Sequence, residues 1–463
     1  MTIPLSSRAE KYKQGKLLRA RTPRELHGDL NGPFKRDAVA ILAESDENRV
    51  PELLPERYRR MMVDPFAFLR GAAAVMATDL AHQPMAGAPV HACGDCHLMN
   101  FGAFTTPEDN ILFDINDFDE TLPGVDFTVD VKRLAASVAV AAQSAGLSVK
   151  RARSLAAGAV GAYRGHMLDL MELSSLQIWH SHIDLEEEVA RIEDPQLRRG
   201  LSTLIDKVRS GGLETDDNFP HLVTGAKPRI ADRPPTIFHF GSNADPRHAI
   251  DASRAFELYR ASLAPDRLIL LDRYRQTDLA FKAVGVGSVG TFCYVGLFMG
   301  GDGDHLFLQV KEAQNSVLER LAPELAYRGP QGRRVVEGQR MMQVASGIFL
   351  GWTSDEASGR QFYIRILKNR RLGGVSEIAE HEALSYYARL CGRTLARAHA
   401  RSGHPAVMAG YMGRSDAFDE AIASFALAYA NQAVIDHAAL VKARSLAPTE
   451  RASAKAIAEQ RVA

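Results

Sequence analysis

The sequence predicts an α+β protein of two lobes: a helical lobe first, a small antiparallel β lobe at about 275–370, and helices to finish the chain. Three observations predict it. Apolar residues recur at steps of three and four in two blocks, within 65–173 and within 380–446. Between the blocks, from about residue 280, the composition turns to Gly, Val and aromatics. Within the first block, residues 93–120 (CGDCHLMNFGAFTTPEDNILFDINDFDE) form a strand-like island dense in polar and acidic side chains.

The chain's 463 residues are enough for more than one domain-sized unit. Lys plus Arg equals Asp plus Glu at 56 each, so no global basic field invites nucleic acid. The start, MTIPLSSRAEKYKQGK, lacks the apolar stretch of a signal peptide, and no run of about 18 apolar residues is present. Cys93, Cys96, Cys293 and Cys391 are too few for a disulfide framework. The expectation is a cytoplasmic protein with reduced thiols and no membrane partner.

Taken in order, residues 1–55 read as a polar arm with short helical pieces. Arg57, Arg59 and Arg60 could bind an anionic substrate, but the simpler reading is a solvated helix face. Phe66, Leu69, Ala73, Met76 and Leu80 mark one helix that opens at Pro65 and stops before Pro84 and Gly87. PEDN at 107–110 is turn chemistry and ILFDI has strand composition, so 98–117 reads as a hairpin. Helices follow over about 126–142 and 150–173, then a charged, mostly helical stretch to 270. AFKAVGVGSVGTFCYVGLFMGG and HLFLQVKEA, joined by GGDGD, fit antiparallel strands. Residues 333–347 read as a helix, and IFLGWTS with RQFYIRIL as a hairpin around DEASG. LGG at 372–374 reads as a linker before helices at 380–401 and 418–446. The expected units are therefore an arm (1–55), a helical catalytic lobe (56–274), a β-rich nucleotide-binding lobe (275–372) and C-terminal helices (373–463).

Phosphoryl transfer needs an acid at the acceptor hydroxyl, oxygen ligands for Mg²⁺, a glycine loop over the phosphates and a lysine on them. Asp95 and Asn100 have the D-x-x-x-x-N spacing of a kinase catalytic loop. Asp117-Phe118-Asp119 ends the hairpin, with Asp114 three residues earlier. Carboxylate and amide oxygens suit Mg²⁺, with Asn100 and Asp117 as principal ligands and Asp114 and Asp119 as further candidates. Gly285, Gly287, Ser288 and Gly290 lie between two strand-like flanks. That makes a hairpin tip, whereas a dinucleotide fingerprint would lead into a helix. Lys311, one strand further on, is placed to reach phosphates, and Glu337 on the next helix is its candidate partner. The C-x-x-C-H at 93–97 matches a haem-attachment pattern and half a zinc site; the simplest reading is two small buried thiols.

These motifs resemble the protein-kinase-like superfamily, most closely its aminoglycoside and choline phosphotransferase branch. Gly94, Asp95, His97 and Asn100 match its G-D-x-H-x-x-N loop. Asn116-Asp117-Phe118-Asp119 matches its I-D-F-D-like segment, and Asp130 the aspartate that opens the next helix. Over nearly its whole length the chain also looks like the bacterial family of domain of unknown function 2252, which brings no established substrate. The motif order is reversed, so the resemblance implies a circularly permuted kinase-like fold. It further implies an ATP- and Mg²⁺-dependent phosphotransferase with Asp95 as base, His97 orienting the loop, and an unidentified hydroxyl acceptor. A nucleotidyl (AMP) transferase or a nucleotide-binding pseudokinase would use the same parts. No oligomeric state can be read from the chain.

Overall fold

The computed structural model describes residues 6–30, 36–106, 110–209, 219–223, 228–234, 236–240, 251–283, 287, 289–367 and 381–460. Helix α1 (Arg8–Arg21) opens on a capping box between Ser7 and Glu10. It is docked rather than loose. A Cβ on its Gly15 would lie 2.0 Å from the Val407 carbonyl oxygen, and one on Gly410 would lie 2.2 Å from that of Tyr12. Only glycines let α1 and the helix Pro405–Met412 approach so closely.

Helices α2 (Ala38–Glu44) and α3 (Leu54–Met61) lead to a departure from the expected single helix at 65–80. Two helices stand there, α4 (Pro65–Gly71) and α5 (Ala73–Leu80), broken at Ala72 with φ −115° and ψ 35°. The break frees carbonyls that buried arginines then bind. Arg57 donates to Gly71 O at 3.2 Å and Arg133 to Leu69 O at 2.7 Å. Apolar periodicity continues across the break, so the pattern alone gives no sign of it.

Strands β1 (Pro89–Ala92) and β4 (Leu122–Asp126) pair antiparallel, and β2 (Phe101–Thr105) pairs with β3 (Ile111–Ile115) in the predicted hairpin. Asp126 then caps α6 (Phe127–Ser144) by accepting from Thr128 N–H. Every residue of α6 from Phe127 to Ala142 is buried. Its alanines let α7 (Val149–Leu170) and the helices His381–Ser402 and Ala417–Gln460 close around it as one core.

Short strands β5 (Leu222–Val223), β6 (Arg229–Ile230) and β7 (Ile237–Phe238) precede the main sheet. β5 and β6 pair with each other, while β7 joins the main sheet with β8 (Tyr274–Lys282), β9 (Cys293–Gly300), β10 (His305–Glu312), β11 (Gly351–Ser354) and β12 (Gln361–Ile366). The six-stranded antiparallel order is β11-β12-β10-β9-β8-β7. The β lobe reaches back beyond the expected boundary at 275. Ile230 packs with Ala280, Val295 and Leu297, and Thr353 Oγ1 donates to Ala255 O. The expected linker at 372–374 lies outside the described residues. Among the described residues, no helix is long and apolar enough to cross a membrane.

Candidate active-site cleft

The loop at 93–97 is set by glycine and by a buried acid. Gly94 has φ +86°, and a Cβ there would sit 2.4 Å from Glu120 O, so only glycine fits. Asp130, on α6, accepts the N–H groups of Cys93 (2.6 Å) and Gly94 (2.9 Å). His399 sits 3.1 Å from the same carboxylate, and Tyr163 lies 2.9 Å from His399. Asp130 stands in the first turn of α6, as expected, and from there it clamps this loop.

Asp95 projects from the clamped loop. Its Oδ1 accepts from Arg133 Nε (3.0 Å) and Nη2 (2.6 Å), which leaves Oδ2 toward the cleft and 3.6 Å from His97 Nε2. Burial raises the Asp95 carboxyl above the usual aspartate range; Arg133 opposes this and Asp117 adds to it. His97 is buried, and its Nδ1 accepts from Met99 N–H at 3.1 Å. Burial, with Arg70 and Arg133 nearby, holds its imidazole well below the ordinary value, hence neutral. His97 shapes the turn into Asn100.

Asn100 and the aspartates meet because the β2–β3 register continues past the strands: Phe101 faces Ile115, and Asn116 N–H donates to Asn100 O at 2.8 Å. Asn100 Nδ2 donates to Asp95 O at 2.6 Å, which fixes the amide and leaves its oxygen for the cleft. Lys311 reaches the segment from β10. It ion-pairs with Asp119 and lies 3.6 Å from Asp117. Burial works against its charge, yet Asp117 and Asp119 raise the ammonium well above its ordinary value. Tyr363 donates to Asp119 Oδ1 at 2.7 Å and Arg365 to Asn116 O at 3.2 Å. The sheet therefore grips the hairpin end from above.

One polar cleft of about 730 Å³, including its mouth, joins these parts. Asp95, Asn100, Asp117, Asp119 and Glu120 line it together with Gly287 and Thr291. A Cβ on Gly287 would be 3.1 Å from Arg70 O, so Gly287 lies against the α4–α5 break. Val50 N–H donates to Gly290 O at 2.7 Å, and Arg49 to Val289 O at 2.6 Å. Gly285 and Ser288 lie outside the described residues.

Three expectations need correction. Asp114 does not line the cleft: it is 2% exposed and paired with Arg397, itself buried, because the hairpin turns it toward the helix His381–Ser402. Glu337 does not reach Lys311; it pairs with Arg333 and accepts from Tyr327. From the same helix, Gln331–Met342, Arg334 turns inward instead and donates to Asp119 O (2.8 Å) and Thr121 O (2.5 Å). Arg57 is no solvated residue: it is 1% exposed and lines the cleft. Sequence reasoning missed Arg133, although a charged trio, Asp130, Lys132 and Arg133, inside an otherwise apolar helix was a signal for it. Arg334, Tyr363 and Arg365 carry no local signal. Both Cys93 and Cys96 are buried free thiols.

A family model described as an uncharacterized protein conserved in bacteria, DUF2252, matches residues 49–443. No curated protein matches the chain, and no solved structure does.

Proposed function

The chain belongs to the bacterial family DUF2252, and we propose that this member is an ATP- and Mg²⁺-dependent phosphotransferase acting on a hydroxyl acceptor, built on a circularly permuted kinase-like fold. One observation carries the reading: the aspartates of the β2–β3 hairpin and Gly287, far apart in the chain, line one polar cleft. The sheet with Lys311 follows the Asp95 loop in sequence, which is the permuted order.

In this reading the nucleotide's phosphates lie along the glycine hairpin, and Lys311 turns from Asp119 to meet them. Asn100, Asp117 and Asp119 would hold Mg²⁺ through oxygen atoms, and the bound ion would offset charge developing on the phosphates. Among the described residues, no three His, Cys, Asp or Glu side chains form a ready metal cage. Mg²⁺ commonly binds through one or two carboxylates plus substrate phosphates, so the donor set fits it without one. Arg133 holds Asp95 Oδ1, so Oδ2 is the atom that takes the acceptor's proton. The acceptor O–H bond breaks, its oxygen forms a bond to the γ-phosphorus, and the bond from that phosphorus to the β,γ-bridging oxygen breaks. ADP leaves with that electron pair.

Thermal unfolding with and without Mg–ATP, followed by mass spectrometry of the products, tests the proposal. A rise in Tm with transfer of phosphate supports it. Transfer of adenylate would assign nucleotidyl transfer, and a rise in Tm without transfer a binding module. The absence of any rise would falsify the nucleotide reading.

A further inference from the structure

We infer that the β5–β6 hairpin is an intrasteric plug, which covers the sheet surface that the nucleotide's base would use and must lift before the nucleotide can seat; this rests on the nucleotide reading of the cleft. The cleft is lined largely by charged and amide side chains, which suits phosphates and not a purine ring. The base therefore needs apolar surface next to Lys311. Side chains alternate along a strand, so Lys311, Gln309 and Phe307 stand on one face of β10. On one flank β12 sets Tyr363 and Arg365 beside Lys311 and Gln309, and these two already serve Asp119 and Asn116. On the other flank the pairing sets Cys293, Val295 and Leu297 of β9, with Ala280 of β8 beyond them. On that flank the face turns apolar two residues on from Lys311, roughly 7 Å along the strand.

This apolar face is taken. Ile230 of β6 and Ile237 of β7 are fully buried against Ala280, Val295, Leu297 and Phe307. Phe219, just before β5, sets its ring edge-on to Phe307 with centroids 5.5 Å apart. The margin of the hairpin is fastened by a polar clasp. Asp278 of β8 accepts Ile230 N–H at 2.7 Å, and its other oxygen lies 3.0 Å from His239 Nε2. His239 Nδ1 in turn lies 2.7 Å from Asp232 Oδ1, just past β6. Arg233 donates to Phe219 O and draws the two ends of the hairpin together. Each strand of the hairpin has only two residues, so the sheet face and the clasp hold it in place. The His239 and Asp278 side chains are 28% and 16% exposed, so water screens the clasp. A short segment held in this way opens as a unit when a ligand competes for the surface beneath it.

The test is calorimetric titration of Mg–AMPPNP into the full chain and into Asp278→Ala, which opens the clasp without touching the cleft. Asp278→Ala should bind about tenfold more tightly than the wild type. His239→Gln, the clasp's other member, carries the test if Asp278→Ala does not fold. Hydrogen–deuterium exchange gives the second readout: Mg–AMPPNP should speed exchange at residues 228–234 of the wild type. Equal or weaker binding by the folded variant would overturn the inference. Unchanged or slower exchange at 228–234 would overturn it too, and slower exchange would make the hairpin a wall of the base site. In each of those cases the wild type still binds, so the nucleotide reading stands. If Mg–AMPPNP binds neither protein, that reading falls, and the inference with it.

Discussion

Replacing Lys311 by Met tests how the cleft balances its charges. The Lys311 side chain is 4% exposed, pairs with Asp119 and lies 3.6 Å from Asp117. Methionine keeps the apolar stem and removes the ammonium. Losing one partner of a fully buried ion pair costs about 3–5 kcal/mol. Here Asp117 and Asp119 are 34% and 24% exposed, so water screens them, and Tyr363 still donates to Asp119. A loss of about 2 kcal/mol at pH 8 is therefore expected. Without the ammonium, the two carboxylates face each other with no cation between them. Urea unfolding of Lys311→Met and the wild type at pH 8 measures the loss. A loss below about 0.5 kcal/mol would refute the charge argument.

Three further outcomes are expected. Asp95→Asn should cut phosphate transfer about 10²–10⁴-fold, the worth of a general base, while Mg–ATP still raises Tm. Burial raises Glu120 to about 7 from an ordinary 4.5, so the folded chain holds that proton longer and wild-type stability falls between those pH values; Glu120→Gln should remove the fall, a gain over wild type of about 2–3 kcal/mol at pH 8 relative to pH 4.5 in urea melts. Asp114→Ala should lose about 3–5 kcal/mol by leaving Arg397 buried without its carboxylate, and added Mg²⁺ should not restore it, since Asp114 faces the core and not the cleft.

The local parts of the site were legible because short-range chemistry dictates them. A strand running into D-I-N-D-F-D and the D-x-x-x-x-N spacing of Asp95 and Asn100 each follow from a few neighbouring residues. The hairpin pairing that brings Asn100 beside Asp117 follows from the same pattern. So do the β composition around Lys311 and the long alanine-rich helices. Which acid faces the cleft was not legible, since a period of two puts Asp114 and its neighbours on opposite faces but does not say which face is the site. Arg397 decides it, and Arg397 is remote in sequence.

By itself, then, the sequence determined most of the element types, the aspartate hairpin, and the candidates Asp95, Asn100, Asp117, Asp119 and Lys311. Those rest on periodicity, turn chemistry and motif spacing, which act over a few residues. Tertiary structure alone decided the partners. It gave Arg133 to Asp95 and Asp119 to Lys311 in place of Glu337, and it folded a presumed surface arginine, Arg57, into the cleft wall. The physical reason is that a long charged side chain pairs with whatever opposite charge or open carbonyl the packed backbone leaves beside it. The break at Ala72 and the approach of residues 45–50 to Gly290 set those opportunities, and both depend on contacts between segments far apart in the chain.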